Sequence, residues 1–433
     1  MPFSGERIYW LNDDQARPEA APQNLPAKVD VAVVGAGYTG LTAALHLARA
    51  GRNVVVFDAV AVGHGASSRN GGMVGPGLHK LGITGLVNTY GEARAIAILG
   101  EGLRALDHLQ TFLEEERIEC DLTLAGRFRG ARTPAHYGAS ARECDWLRAK
   151  IGLPSYNVPK AEQRAEIGSD FYHGGVVYVR DGGVHPRKLL LALVDKAFEA
   201  GVRILAPCAV TGLRRGLGGT EVQTDQGVLN AREVVLATNG YSDRRSAVLN
   251  CRVVPIETGA CAVGPLTPEQ MAELTPKARM HGETGRIFMW YRPTPDGRSF
   301  IFGGRFGAGG ASLAAREAAF RRSITRVFPQ LADAPLSHVW SGQIAYTADH
   351  SPHLGQVDGV WLAGGYCGSG VTRAIYFGTK LARRMLGQSD SETAFDALPF
   401  NSVPFRPFAP WGAGMLVRWH QMKDNRDLRA ARG

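Results

Sequence analysis

Val29-Asp30-Val31-Ala32-Val33-Val34-Gly35-Ala36-Gly37-Tyr38-Thr39-Gly40 is the stretch on which the fold of this chain turns. Val29 to Val34 is a short β-branched run of the kind that forms a fully buried strand, and an alanine-rich helix follows through Arg49. Gly51 ends that helix, Asn53 to Phe57 is a second apolar run, and Asp58 stands at its end. Strand, glycine turn, helix, strand and acid in this order make a βαβ unit. Gly35 permits the tight turn, Gly37 lets backbone approach a pyrophosphate, and Gly40 lets the helix lie close on the strands. The helix N-terminus, opening with Tyr38 and Thr39, offers free N–H groups to phosphate. Asp58, eighteen residues past Gly40, is placed to accept from ribose hydroxyls. The unit predicts dinucleotide binding.

Outward from it, Gly63-His64-Gly65-Ala66-Ser67-Ser68-Arg69-Asn70-Gly71-Gly72 is too rich in glycine and small polar residues for a regular element. Its N–H groups and hydroxyls suit a second phosphate, and Arg69 suits its charge. From Ile83 to Ala165 helical periodicity dominates with solvated charged faces, and no chemistry is assigned there. A helix from Pro186 to Ala200 then precedes short strands at Arg203–Leu205, Val210–Leu213, Glu221–Thr224 and Val234–Ala237. The last runs into Ala237-Thr238-Asn239-Gly240, small enough to let a cofactor come close. Strand-like segments at Val253–Val263, Arg286–Arg292 and Ser299–Gly303, with Pro293-Thr294-Pro295-Asp296-Gly297 as a turn, predict an antiparallel sheet. Finally Val360–Ala363 leads through Gly364-Gly365-Tyr366-Cys367-Gly368-Ser369-Gly370 into a helix from Val371 to Met385, a second glycine turn aimed at negative charge.

With 433 residues, 45% hydrophobic and 21% charged, the chain is expected to form two domains around ordinary cores. The polar start, Met1 to Asn24, lacks the pattern of a signal peptide and no window approaches a membrane span, so a cytoplasmic protein is expected. Six scattered cysteines form no CxxC pair or Cys/His cluster, which argues against a disulfide framework and a metal site. The net charge of +9 is spread along the chain without a nucleic-acid motif and fits anionic small ligands. Its densest stretch, Arg418, Lys423, Arg426, Arg429 and Arg432 around Trp419, reads as an amphipathic terminal helix, more simply solvated or packed than bound to nucleic acid or membrane.

These motifs, together with Tyr291-Arg292-Pro293-Thr294-Pro295-Asp296-Gly297-Arg298 and Trp340-Ser341-Gly342 followed by Thr347, Asp349 and Pro352, resemble those of the D-amino-acid oxidase (DAO) superfamily. Within it the chain is similar to the γ-glutamylputrescine oxidase-like branch. The resemblance implies an α/β fold: a Rossmann-like, glutathione-reductase-type FAD-binding domain with an inserted substrate domain of antiparallel β-sheet plus helices. Its segments are FAD-binding at 28–82, 171–250 and 336–390, substrate domain at 83–170 (mostly helical) and 251–335 (the sheet), and a C-terminal extension at 391–433.

FAD would lie against Gly35, Gly37, Tyr38, Thr39, Gly40, Asp58, the loop Ala66, Ser67, Ser68, Arg69, Asn70, Gly71 and Gly72, and Val210, Thr238, Asn239 and Gly240. Gly365, Gly368, Ser369, Gly370, Val371 and Thr372 complete that set. Some relatives attach FAD through a Cys shortly before a Tyr-Thr pair, but here the residues are Ile344-Ala345-Tyr346-Thr347; others use a His where this chain has Arg69. Non-covalent FAD is therefore expected, with His64 and Cys367 as the nearby reactive residues.

The implied reaction is hydride transfer from the carbon bearing nitrogen in a small amine or amino acid to flavin N5. The imine then hydrolyses, and oxygen or another acceptor reoxidises the flavin. Such chemistry needs placement rather than a nucleophile or metal. The catalytic candidates are Tyr291, Arg292, Arg305, Trp340 and Tyr366, with Trp290 and Tyr346 beside them, and Arg292 and Arg305 as carboxylate partners or structural ion pairs. His350 and His353 are candidate bases that are more simply structural. Two other readings stay open: oxidation of a tRNA base substituent, which the lack of an RNA-binding module disfavours, and a non-catalytic FAD-binding regulator. The pocket chemistry does not require more than one chain.

Overall fold

Lys28–Val34 lies mid-sheet with Val31, Ala32, Val33 and Val34 all buried, which is why the run carries no polar alternation. Parallel partners flank it, Gly227–Leu236 on one side and Val54–Phe57 on the other, with Val34 level with Leu236 and Phe57. The computed structural model describes residues 5–11, 24–304, 312–404 and 409–431. In spatial order the first sheet runs His353–Val357, Val360–Gly364, Gly227–Leu236, Lys28–Val34, Val54–Phe57 and Arg203–Leu205. Val210–Gly216 and Gly219–Thr224 add an antiparallel flap to the first half of Gly227–Leu236.

The two faces of this sheet sort by the two-residue period of a strand. Val31, Val33, Val54 and Val56 pack with the helices Tyr38–Arg49, Pro186–Glu199 and Gly370–Met385, whereas Ala32, Val34, Val55 and Phe57 pack with Leu229, Leu236 and Leu249. Among the described residues no helix is long and apolar enough to cross a membrane.

The second sheet runs Leu336–Tyr346, Val254–Val263, Phe300–Gly304, Met289–Pro293, Met280–Glu283, Arg127–Gly130, Gly175–Tyr178 and Ser155–Val158. One face of its centre holds an aromatic cluster of Tyr291, Phe300, Phe302 and Phe328, closed by Phe320 and Ile324 of the helix Leu313–Val327. The sheet is larger than the sequence suggests and not wholly antiparallel, since Met280–Glu283 pairs parallel with Arg127–Gly130. It recruits Arg127–Gly130 and Ser155–Val158 from the stretch read as helical, Gly175–Tyr178 from the expected second FAD segment and Leu336–Tyr346 from the expected third. Leu336–Tyr346 belongs with it because it pairs with Val254–Val263 from end to end. The strand expected from Arg286 begins only at Met289, because the Arg286 and Ile287 N–H groups point to the Asp424 carboxylate at 3.0 and 2.9 Å instead of to a neighbouring strand. The polar N-terminal stretch also packs: Arg7 bridges to Val339, and Trp10 is fully buried.

Four histidines are held uncharged by burial, His79 and His281 fully and His46 and His108 in large part. His46 and His108 share the Thr379 hydroxyl at 3.1 and 3.0 Å, His79 meets Ser351 at 3.1 Å, and His281 meets Thr275 at 2.9 Å. Burial pushes the first three down to about 4 and His281 to about 3, against about 6.5 in an unfolded chain. The unfolded chain therefore binds more protons between these values, so the stability from neutral burial is complete above about pH 6.5 and is lost as pH falls toward 4. Denaturant titrations from about pH 7 to about pH 4.5 should show a steadily falling midpoint, less steep in His281→Phe. A midpoint that does not move with pH would contradict neutral burial.

Candidate active site

The first glycine turn lies at the end of the central strand and opens into a cleft of about 1040 Å³, the upper end of the roughly 300–1,000 Å³ typical of ligand sites. Gly35 has φ +109°, and a side chain there would meet the Ala237 carbonyl group at 3.0 Å. A Cβ on Gly37 would meet the Ser67 hydroxyl at 3.0 Å, and one on Gly40 the Gly35 oxygen at 2.0 Å. The turn is thus a cradle with no room for side chains. Asp58 accepts from the Ala36 N–H (3.1 Å) and the Val60 N–H (3.2 Å), and burial raises its pKa above the ordinary carboxylate value. This acid ties the end of the second strand to the glycine turn while still facing the cleft.

Gly35, Gly37, Tyr38, Thr39, Asp58, Ala66, Ser67, Arg69, Asn70, Val210, Thr238, Asn239, Gly368, Gly370 and Val371 all border the cleft. Tyr366 borders it too, with its hydroxyl 2.7 Å from that of Thr39. The remaining expected cofactor residues do not border it and act from behind. Gly40 packs the helix on its strand, Ser68 is buried under the loop, and Gly240 packs on the backbone of Ile344 and Ala345. Gly365 donates its N–H to Asn239 Oδ1 at 2.9 Å, Thr372 accepts from the Gly75 N–H at 3.2 Å, and Ser369 packs on Gly77. Asn239 and Cys367, both non-glycine, have φ of +46° and +51°, the kind of backbone strain that concentrates at functional loops.

The loop from Ala66 to Gly72 is held from several sides. Asn70 donates to the Ala66 and Ser67 carbonyls at 3.1 and 3.0 Å and accepts from the Gly72 N–H at 2.7 Å. Trp10 donates to the Asn70 carbonyl and Trp340 to the Arg69 carbonyl, both at 2.8 Å. Arg69 donates to the Ser341 carbonyl at 3.2 Å and lies 3.6 Å from Glu6.

A second cavity of about 200 Å³ opens beside the cleft and shares Ala66, Arg69, Asn70, Ser341, Gly342, Gln343, Ile344, Gly368 and Val371 with it. Its other walls include Gly71, Met73, Lys80, Thr258, Arg286, Phe288, Trp290, Trp340, Tyr346 and Cys367. Trp290 is seated between Gly71 and Gly303, where a Cβ would lie 2.4 and 2.0 Å from its ring. The Lys80 ammonium is 5.3 Å from the centre of the Phe288 ring. Among the described residues the wall presents no carboxylate and no imidazole.

Several expected site residues lie elsewhere. Tyr291 is not in the cavity: strand alternation turns it into the aromatic core, its hydroxyl 2.6 Å from that of Tyr172. Arg292 is not positioned for a substrate carboxylate, because its guanidinium is buried on the carbonyls of Gly72 (3.1 Å), Val184 (2.9 Å) and Pro293 (3.0 Å). Burial lowers its pKa to about 10, which leaves it charged at neutral pH. Arg305 lies outside the described residues. His350 and His353 border neither cavity, and His353 is occupied by Asp349 at 3.1 Å and stacked on Phe400. His64 borders the cleft and Cys367 the smaller cavity, where burial pushes the Cys367 thiol up. Met73, Lys80, Thr258, Arg286, Phe288 and Gln343 are wall residues that sequence reasoning missed, since none stands in a motif and they meet only in three dimensions.

Asp58→Ala removes the acceptor for two N–H groups of the cradle together with one facing the cleft. Dinucleotide affinity measured by calorimetry should fall about ten- to a hundredfold. Unchanged affinity would remove Asp58 from the site.

Comparison with known proteins agrees with this geometry. Residues 30–384 match the family described as FAD dependent oxidoreductase (DAO). The chain is 29% identical over 409 residues to the probable oxidoreductase OrdL of Rhizobium meliloti (strain 1021), covering 92% of each chain. It is also 29% identical over 378 residues to the gamma-glutamylputrescine oxidoreductase of Escherichia coli (strain K12), covering 87% of this chain and 88% of that one. The crystal structure of glycine oxidase from Geobacillus kaustophilus superposes with a TM-score of 0.72 at 23% identity, over 88% of this chain and 99% of the other, and shares the fold. The chain belongs to the DAO family of FAD-dependent oxidoreductases, and its cofactor is FAD.

Proposed function

We propose that the chain oxidises the C–N bond of a small amine or amino acid held in the 200 Å³ cavity, giving an imine that hydrolyses in water. Gly35, Gly37, Asp58 and Ser67 would hold FAD, which would supply an acceptor for the substrate hydride and a route for its electrons to oxygen or another acceptor. The observation that carries this reading is the shared wall: Arg69, Asn70 and Ser341 to Ile344 border both spaces, so a substrate in one lies against the cofactor in the other.

The cavity residues suit an amine. Arg69, Lys80 and Arg286 put positive charge on the wall, and among the described residues no carboxylate there stabilises an ammonium. Nearby cations disfavour the protonated amine and favour the neutral one, the form from which hydride can leave. Trp290 and Trp340 orient the carbon chain, and Lys80 binds a carboxylate or other anionic end. The relative named gamma-glutamylputrescine oxidoreductase supports an amine as substrate.

Anaerobic mixing with polyamines, γ-glutamyl-polyamines, N-methyl amino acids and D-amino acids should bleach the flavin absorbance near about 450 nm with one class and not the others. A yellow protein bleached by none of them would overturn the amine assignment. We also infer that FAD is held without a covalent bond, because Arg69 occupies the loop position discussed above and the Cys367 thiol is buried on the Gly365 carbonyl at 3.2 Å. Acid precipitation should leave all the yellow colour in the supernatant. A yellow pellet would show attachment.

A further inference from the structure

The helix Ala409–Ala430 is held to the rest of the protein along one side, and its anchor is Asp424. That carboxylate is buried and accepts from the N–H groups of Arg286 (3.0 Å) and Ile287 (2.9 Å) and from the Arg286 guanidinium (2.8 Å). Arg132 stands 3.6 Å behind it, and Asp427 takes Arg286 a second time at 2.7 Å. At about 100° per residue, positions 415, 419, 422 and 426 fall on the side away from Asp424. Met415, Trp419 and Met422 on that side are 55%, 45% and 63% exposed, and Leu416 on its flank is 52% exposed.

The border of this apolar stripe is cationic. Arg418, Lys423, Arg426 and Arg429 are exposed, and the Lys423 ammonium sits 3.6 Å above the Trp419 ring. The acids of the helix, Asp424 and Asp427, are both committed to Arg286. The outward face therefore has an apolar centre, basic edges and no free acid.

That combination selects among partners. A second copy meeting this face by a two-fold axis would set the same cations against one another. Nucleic acid would satisfy the cations but leave Met415, Leu416 and Met422 exposed, because its surface is phosphate and sugar. An anionic bilayer satisfies both: apolar side chains enter below the headgroups while Lys and Arg stay at the phosphates, and Trp favours that boundary. We propose that Ala409–Ala430 is an interfacial anchor that seats the protein on an anionic lipid surface, with Asp424 tying the seated helix to the cavity wall at Arg286 and Ile287. The expectation of no membrane partner rested on the lack of a spanning segment and on reading the terminal helix as solvated or packed; a helix lying in the interface needs no spanning segment, and its exposed apolar stripe is not packed.

The test uses the flavin-loaded full chain with vesicles of phosphatidylcholine alone and of phosphatidylcholine with phosphatidylglycerol, separated by sedimentation. Binding to the anionic vesicles should be at least about tenfold greater and should fall as salt is raised. The triple variant Met415→Gln, Trp419→Gln, Met422→Gln should lose this binding while keeping the flavin spectrum of the parent. If it does not fold, Arg418→Glu with Arg426→Glu gives the same reading from the basic edge. Equal binding to both vesicle types, or undiminished binding by the folded variants, would overturn the proposal. A concentration-dependent dimer abolished by the triple variant, without vesicle binding, would assign the face to a second copy. Capture by a DNA duplex with no preference for anionic vesicles would assign it to nucleic acid.

Discussion

Arg292 reaches out of the second sheet and donates to the carbonyls of Gly72 and Val184, with Gly71 at 3.4 Å. Gly71 and Gly72 end the loop that borders the cofactor cleft, and Val184 stands just before the helix Pro186–Glu199. One guanidinium therefore ties the second sheet to the end of that loop and to the backbone that leads into a helix packed on the first sheet. Hydrogen bonds from a charged donor contribute about 1.5–3 kcal/mol each, and buried carbonyls left without partners carry a desolvation cost of about 1–3 kcal/mol apiece. The glycines are the counterpart of this contact, because a Cβ on Gly72 or Gly183 would lie 2.8 or 2.4 Å from the guanidinium. The Arg-Asn-Gly-Gly motif is thus conformational as well as chemical: Arg69 and Asn70 border the cleft, and the glycines admit Arg292 and Trp290.

The part of the site built from local chain geometry was legible in the sequence. Gly35 and Gly40 answer to neighbours in the turn itself or at the ends of the adjoining strands, and Gly37 to Ser67 of the loop after the second strand, so the spacing of the motif was enough to single them out. The strand at Val360 and its glycine turn into Gly370–Met385 were readable for the same reason. The substrate side was not. Trp290, Tyr291 and Arg292 stood together as site candidates, yet a pleated strand sends neighbours to opposite faces, and of the three only Trp290 reaches the cavity. Arg292 shares its face but stands over Gly72 and Val184.

Long-range contacts account for the other differences. Arg127–Gly130 and Ser155–Val158 are four residues each, too short to stand out between helices, and become strands because Gly175–Tyr178 pairs with both and Met280–Glu283 with the first. Arg286 to Phe288 has strand composition but loses two N–H groups to Asp424, which is more than a hundred residues away in the chain. No window of sequence contains that competition, and local propensity yields to it.

The charges around the smaller cavity follow the same principle. Two of its cations have their counter-charge supplied by residues remote in sequence: Glu6 stands 3.6 Å from Arg69, and Asp424 and Asp427 hold Arg286 at 2.8 and 2.7 Å. These carboxylates sit behind the arginines and not on the cavity wall. The wall thus keeps its cationic side chains, and the buried Arg69 guanidinium is spared the desolvation penalty of standing alone, while Arg286 is exposed. A carboxylate on the wall itself would have the opposite effect, stabilising an ammonium that cannot release hydride. Placing the acids off the wall lets Arg69 be buried with a counter-charge and leaves the described wall cationic, the property on which the proposed preference for a neutral amine rests.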